Sequence, residues 1–333
     1  MRAPTMHDVA THAGTSTAVV SYVLNDGPRP VAAATRARVL AAVAELGYRR
    51  NNLARALRAR RTSTIGLVVP DLAKPFFAEL TRAVEAAAFA RGLHLLVGSA
   101  HFTSEREHDQ LRALLDARVD AVLLVASDDP RHAVEQLRQA EIPYVLMHRL
   151  HPDAPGVAGD DTDAGSKAAD HLLAHGHRHI AVLGTDAGDD PVSRRARGAL
   201  ATLAQHHHPV PGHLVVDCRF PLLRDEAYRH THALLTAHPQ VSAVCATTDE
   251  HALGAMRAAG EAGRRIGDDL ALISIDGTEL GAFLAPALTT VAVPFADLAA
   301  SAVDAVLGRP GTTPGPQLHR LNLTVRRSCG CRP

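Results

Sequence analysis

The chain has 333 residues, too many for one typical domain and enough for two or three with their own cores. Its formal net charge is zero, yet residues 1–61 hold ten arginines against Asp8, Asp26 and Glu45, a net of +7, and the remainder carries −7. A basic head on an acidic body points to a polyanion partner for the head alone. No stretch approaches the ~20 apolar residues of a membrane span, Met1 to Asp8 holds no apolar run of an export signal, and only four cysteines in so long a chain suit a reducing, cytoplasmic setting.

Met6 to Ala13 reads as a short first helix with Met6, Val9, Ala10 and Ala13 on one face. Gly14 ends it, because glycine tolerates the left-handed backbone of a tight turn. Ser16 caps a second helix, Thr17 to Asn25, whose inward face is Val20, Val23 and Leu24, leaving Thr17, Ala18, Ser21 and Tyr22 outward. A third helix spans Ala33 to Leu46, with Val39, Leu40, Val43 and Leu46 apolar and Gly47 as its stop. Two short helices across a glycine turn, then a third, have helix-turn-helix spacing. A plain three-helix bundle has the same outline, and the arginines at 29, 36, 38, 49 and 50 favour the nucleic-acid reading.

Asp8-Val9-Ala10, Ala13-Gly14, Ser16, Val20-Ser21, Val23-Leu24-Asn25, Thr35-Arg36, Arg38-Val39 and Leu46-Gly47-Tyr48 follow one another almost without gaps. They closely resemble the head of the LacI/GalR family of bacterial repressors. The resemblance implies that Thr17, Ala18 and Tyr22 read bases in the major groove, and that Thr5, Ser16, Ser21 and Asn25 position the backbone. Thr17 and Ala18 cannot make the bidentate contacts of Gln or Arg and suit a thymine methyl. Ala32 stands where the family has a capping Ser.

Residues 49–62 have helical composition but only about two turns, too short to be stable alone. Five arginines and no acid lie between 49 and 60. By itself this is a solvated basic linker. The resemblance makes it a hinge helix that folds on the operator, with Arg50, Asn51, Ala54 and Arg55 against DNA and Leu57 as the minor-groove wedge. Arg50 replaces the family's Pro. The expected organisation is therefore a head at 1–48, a hinge at 49–62 and a core at 63–333.

Beyond residue 62, strand candidates alternate with helices. The strands are Ile65–Val69, His94–Gly98, Ala121–Val125, Tyr144–Met147, Ile180–Gly184, Leu214–Val216, Ala243–Thr247, Leu270–Ile275 and Thr289–Val293, with a last one from Leu318 to Val325. The intervening helices include Phe76–Ala90, Ala164–His175 and His251–Ala262. Such alternation predicts parallel sheets with right-handed crossovers, and so many strands predict two doubly wound α/β lobes with a ligand cleft at the strands' carboxyl ends.

Pro75-Phe76-Phe77-Ala78-Glu79-Leu80, Gly176-His177-Arg178-His179-Ile180-Ala181 and Pro286-Ala287-Leu288-Thr289-Thr290-Val291 extend the resemblance through the core, and with it to the fold of periplasmic sugar-binding proteins. It implies an aromatic wall at Phe76 and Phe77, and polar lining from Arg149, Asp161, Arg195, Asp249 and Asp276. Each polar candidate follows a strand, and carboxylates with an Arg suit paired hydroxyls, as in a sugar or nucleoside. Taken singly, Asp249 or Asp163 is equally a helix cap.

The expected protein is a homodimeric, sequence-specific regulator of a near-palindromic operator, controlled by a small polar effector. The alternative is a binding protein or an enzyme on the same core, but no nucleophile elbow, dinucleotide fingerprint or phosphate loop is present. His171, His175, His177 and His179 have the look of a metal cluster, but the resemblance gives His171 and His177 no metal role. The tail Cys329-Gly330-Cys331 is too short for a zinc site by itself. No metal, cofactor or catalytic residue is therefore expected.

Overall fold

The structure, a computed structural model, describes residues 2, 4–25, 29–48, 61–184, 187–218, 223–308 and 316–331. The chain divides into two compact units, residues 1–62 and 63–333.

In the first unit, α1 (Met6–His12), α2 (Thr17–Asn25) and α3 (Ala33–Leu46) enclose a core of Val9, Ala10, Ala13, Val20, Val23, Leu24, Val39 and Ala42. The Thr5 hydroxyl accepts from the Asp8 amide at 3.3 Å and the Asp8 carboxylate from the Thr5 amide at 2.7 Å, a reciprocal cap that fixes where α1 starts. Gly14 has φ +62° and makes the turn. The Ser16 hydroxyl accepts from the Val19 amide, capping α2, whereas Ala32 gives α3 no side-chain cap. One apolar assignment changes: Leu40 is 48% exposed, and Ala42 takes the inward position. Along α3 the buried stripe steps from Val39 by three, so residue 40 faces away from it.

In the second unit, the first lobe has a six-stranded parallel sheet. It is built from β1 (Thr64–Val69), β2 (His94–Ser99), β3 (Ala121–Leu124), β4 (Tyr144–Met147), β5 (Gly156–Gly159) and β11 (Gln317–His319), in the order β11-β5-β4-β3-β1-β2. Its connections carry α4 (Pro75–Phe89), α5 (Ser104–Asp116) and α6 (Arg131–Gln139). The second lobe comprises β6 (Ile180–Leu183), β7 (Val215–Val216), β8 (Ala243–Ala246), β9 (Ala271–Asp276), β10 (Thr289–Ala292) and β12 (Asn322–Thr324), in the order β12-β10-β9-β8-β6-β7. Only β12 runs antiparallel. With it come α7 (Asp161–Ala174), α8 (Pro191–Gln205), α9 (Leu223–Ala237) and α10 (Asp249–Glu261), while α11 (Phe295–Val306) packs back on α4 of the first lobe.

The chain thus crosses between lobes three times: after β5, after β10 and after β11. The last crossing corrects the single strand expected from Leu318 to Val325. That segment is two three-residue strands, one closing each sheet, with Leu321 fully buried between them. Strand β5 was not legible, because Gly-Val-Ala-Gly has poor strand propensity. Its glycines reflect crowding: a Cβ on Gly156 would lie 2.4 Å from the Leu150 side chain, and one on Gly159 2.6 Å from that of Leu321.

Helices α7 and α8 pack through small residues. A Cβ on Gly165 would fall 1.9 Å from the Arg195 carbonyl oxygen, and one on Gly198 2.1 Å from that of Thr162. This approach brings Asp161 and Arg195 together. Gly165→Ala should force the helices apart at about 1–3 kcal/mol and weaken ligand binding, as read by urea denaturation and calorimetry. A neutral variant would show that the crossing has slack.

Candidate functional site

Two sets of candidate residues are brought together by the fold, one in each unit. In the head, α2 buries Val20, Val23 and Leu24 and leaves Thr17 and Ala18 exposed, with Ser21 and Tyr22 half-buried beside them. This face carries no charge, as suits a helix read against base edges. Thr5 and Ser16 are the caps of α1 and α2. The side chain of Asn25, and Arg50, Asn51, Ala54, Arg55 and Leu57 of the expected hinge, lie outside the described residues.

In the core, the polar candidates converge at the carboxyl ends of the strands, where successive crossovers leave a crevice. Arg195 is 1% exposed. Its Nε donates to Asp161 Oδ1 at 2.8 Å, and its Nη1 donates to Asp276 Oδ1 at 2.7 Å and to the Thr247 carbonyl at 2.9 Å. Burial works against its charge, but Asp276 and Asp161 outweigh it and hold its pKa above the ordinary value. Burial pushes Asp276 up to about 7, against the pull of Arg195, and raises Asp161 in the same way.

Asp249 turns inward. Its carboxylate accepts from the hydroxyls of Ser274 (2.6 Å), Thr278 (2.7 Å) and Thr290 (3.3 Å) and from the Thr278 amide (2.8 Å). Its own amide donates to Asp276 Oδ2 at 3.2 Å. Asp249 therefore aims Asp276. The cap of α10 is Thr248, whose hydroxyl accepts from the His251 amide, and Asp160 caps α7, with Asp163 paired to Lys167 at 2.5 Å. The cap readings of Asp249 and Asp163 are corrected accordingly.

A cavity opens against this network, lined by Lys74, Phe76, Phe77, His148, Val192, Arg195, Leu223, Thr248, Glu250 and Asp276. Phe76 and Phe77 stand edge to face at 5.2 Å, and Phe76 leans on the His148 ring at 4.6 Å. Three buried polar atoms at this level have no hydrogen-bond partner: Arg195 Nη2, Asp161 Oδ2 and Glu250 Oε1. Buried donors and acceptors left open in this way are costly unless a ligand or water completes them. Across the mouth, Lys74 of the first lobe meets Glu250 of the second at 3.3 Å, and the Glu279 amide donates to Glu79 at 2.7 Å. Two lining residues hold backbone angles that favour glycine, His148 at φ +66° and Asp276 at φ +139°. Such strain persists where the surroundings impose it, and it gathers at binding sites.

The same division appears in the comparisons with known proteins. The profile of bacterial regulatory proteins of the lacI family matches residues 5–51, and that of the periplasmic binding protein-like domain matches residues 169–329. The ribose operon repressor of Halalkalibacterium halodurans is 38% identical over 297 residues, covering 89% of this chain and 87% of that protein.

The chain belongs to the LacI family of bacterial regulatory proteins.

Catabolite control protein A of Priestia megaterium is 31% identical, covering 90% of each. The lac repressor dimer bound to operator and an anti-inducer superposes with a TM-score of 0.85 at 27% identity, covering 98% of this chain and 99% of that one. A LacI-family regulator of Enterococcus faecium with bound ribose gives 0.69 at 25% identity, covering 80% and 98%. This LacI-family chain is thus a DNA-binding transcriptional regulator with an effector core.

Within this regulator, one lining candidate moves. Arg149 is half-buried and borders neither described cavity of the cleft, whereas its neighbour His148 faces the ligand space. The positive φ at His148 turns the chain immediately after β4, which a strand pattern does not reveal. Lys74, Thr248, Glu250, Val192 and Leu223 were also missed. Glu250 had a signal, being the acid directly after Asp249 past a strand; Val192 and Leu223 had none.

Proposed function

We propose that this regulator represses transcription as a homodimer on a near-palindromic operator, and that a small neutral polyol, a pentose such as ribose, controls it from the cleft. The head is residues 1–48, residues 49–62 form the DNA-dependent hinge, and the core receives the effector. The observation that carries the ligand class is the open Arg195 Nη2, fixed between Asp161 and Asp276 beneath Phe76 and Phe77.

One fixed donor beside a carboxylate acceptor suits adjacent hydroxyls, and the phenyl rings suit the apolar face of a sugar ring. The lining and its partners carry Arg195, Lys74 and Arg224 against Asp161, Asp276, Asp249 and Glu250. That balance disfavours an anionic ligand such as a sugar phosphate. The kinship with the ribose operon repressor supports the pentose. The cleft binds its ligand and releases it unchanged, and the protein works in the cytoplasm; among the described residues, no helix is long and apolar enough to cross a membrane.

The test is a mobility shift on the DNA upstream of its own gene, with scrambled competitor, repeated with ribose and with adenosine. Palindrome-dependent binding that ribose changes at least tenfold would support the reading. A response to the nucleoside alone would move the ligand class, and turnover of either compound would revive an enzyme.

Dimerisation has its own candidate surface. The first lobe exposes Phe89, Leu96 and Val97, and the second exposes Leu280 and Phe283, the latter 78% accessible. Apolar groups of this size in the open suit a partner surface. Leu96→Asp with Phe283→Asp should give a monomer by analytical ultracentrifugation. Its affinity for the full operator should fall at least a hundredfold while the core still binds effector. A double variant that remains dimeric would place the interface elsewhere.

A further inference from the structure

The fold joins two short pieces that each carry too few donors for a metal. His171 and His175 lie one turn apart at the carboxyl end of α7, and Cys329-Gly330-Cys331 follows β12. Cys331 Sγ lies 2.9 Å from His175 Nε2 and 3.5 Å from His171 Nε2, and the three donor atoms fall within 4.8 Å of one another. Cys329 Sγ instead accepts from the Thr289 hydroxyl at 3.1 Å.

We propose that His171, His175 and Cys331 form a three-donor site for a zinc-class divalent transition metal, with water as the fourth tetrahedral ligand.

The donor set and its spacing agree with that ion. Bonds of about 2.0–2.1 Å to nitrogen and 2.3 Å to sulfur separate N and S by roughly 3.5 Å at the tetrahedral angle. His171 already stands at this separation from Cys331. His175 is exposed and needs only a small outward swing. The His175 Nδ1 is 2.7 Å from the His171 carbonyl. With the proton on Nδ1, that bond orients the ring and leaves Nε2 free to ligate, as metal-binding histidines are commonly held. Mixed thiolate and imidazole donors select zinc over magnesium or calcium. A cation at the end of α7 also meets the negative end of the helix dipole.

The tail is built to present the Cys331 thiol. The Leu272 amide donates to the Ser328 carbonyl at 2.8 Å, the Ser328 hydroxyl donates to the Leu272 carbonyl at 2.6 Å, and the Arg327 amide donates to the Ala287 carbonyl at 3.1 Å. Gly330, at φ +81°, then makes the turn that returns Cys331 toward α7. The ion would pin this tail to the helix whose other end carries Asp161 of the cleft, about 20 Å away at 1.5 Å per residue. The site rests on neither the operator nor the sugar reading.

The test uses full-length protein purified under reductant, stripped with chelator and titrated with Co2+. One equivalent per chain is expected, with visible bands of tetrahedral cobalt and a near-ultraviolet thiolate charge-transfer band, both displaced by Zn2+. Cys331→Ser and His175→Ala, at half-buried and exposed positions, should each weaken binding at least a hundredfold. His206→Ala should change nothing. Uptake without a thiolate band, unchanged affinity in Cys331→Ser and His175→Ala, or a Cys329–Cys331 disulfide in protein isolated without oxidant would each overturn the site.

Discussion

Arg195→Met should abolish effector binding and cost about 3–5 kcal/mol of stability, the range for removing one partner of a buried ion pair. Typical domains have only about 5–15 kcal/mol in total. The methionine fills much of the arginine's volume, so the loss is electrostatic rather than a cavity. Asp161 and Asp276 would then face each other's surroundings without the cation that both now bind. Each must take a proton to remain buried, and this is harder at high pH. The penalty should therefore be larger at pH 8 than at pH 6, because burial already places Asp276 at about 7 with Arg195 present. Urea denaturation of the effector-free protein at the two pH values checks the stability, and calorimetry checks the binding. Arg195→Lys separates the roles: it restores charge but not the two-sided fork of hydrogen bonds, so it should recover stability in part and affinity little. An Arg195→Met variant of unchanged stability would mean that the two carboxylates find other partners.

The second large effect is a dependence on pH below neutrality. His251 is fully buried, and burial, with a contribution from Arg195, drops its pKa to about 3. His148 is likewise held well below the ordinary value, by burial first and then by Arg195, Arg149 and Arg194. Both remain neutral in the folded chain while their unfolded counterparts protonate near 6.5. Below 6.5 the unfolded state binds more protons, so this contribution is present above 6.5 and is lost as pH falls. Between pH 7 and pH 5 the loss is about 2 kcal/mol for His251. Asp276 acts in the opposite direction: its raised folded pKa gives stability that is full below 3.8 and is lost as pH rises through 7. The wild-type curve is therefore shallow, and the difference from a variant isolates the histidine. His251→Gln should be less sensitive to acid than the wild type by about 2 kcal/mol over that interval, and the double variant with His148→Asn less sensitive still. Parallel curves for variant and wild type would show that neither histidine is held neutral.

The elements were largely legible where their period was strong. The head helices α2 and α3 carry clear apolar faces between a cap or turn and a glycine stop. Most core strands are β-branched runs flanked by helical stretches. Legibility failed where tertiary contacts, not local preference, choose the conformation. Strand β5 exists because its glycines let Leu150 and Leu321 close upon it. The segment 317–324 is split because the chain must close two sheets in succession. In the cleft, Phe76, Phe77, Asp161, Arg195, Asp249 and Asp276 were candidates through the resemblance, with the polar ones also marked by their places after strands, but how they contact one another was not legible. Asp249 is held by four accepted hydrogen bonds and donates its amide to Asp276, and His148, beside Arg149, lines the cavity where the backbone turns left-handed.

By itself the sequence determined the head's three helices, the alternation that makes two parallel-sheet lobes, the segregation of positive charge to residues 1–61 and the family. These follow from local periodicity, capping and ordered motifs, which need no knowledge of distant contacts. Only the tertiary structure decided which side chains meet. It joined Asp161, Arg195 and Asp276 across 115 positions of the chain through two helices that touch at glycines, and it brought His171 and His175 to a thiol more than 150 residues away. Sequence separation says nothing about such encounters; they are fixed by how closely packed elements can approach and by which buried charges must find a partner.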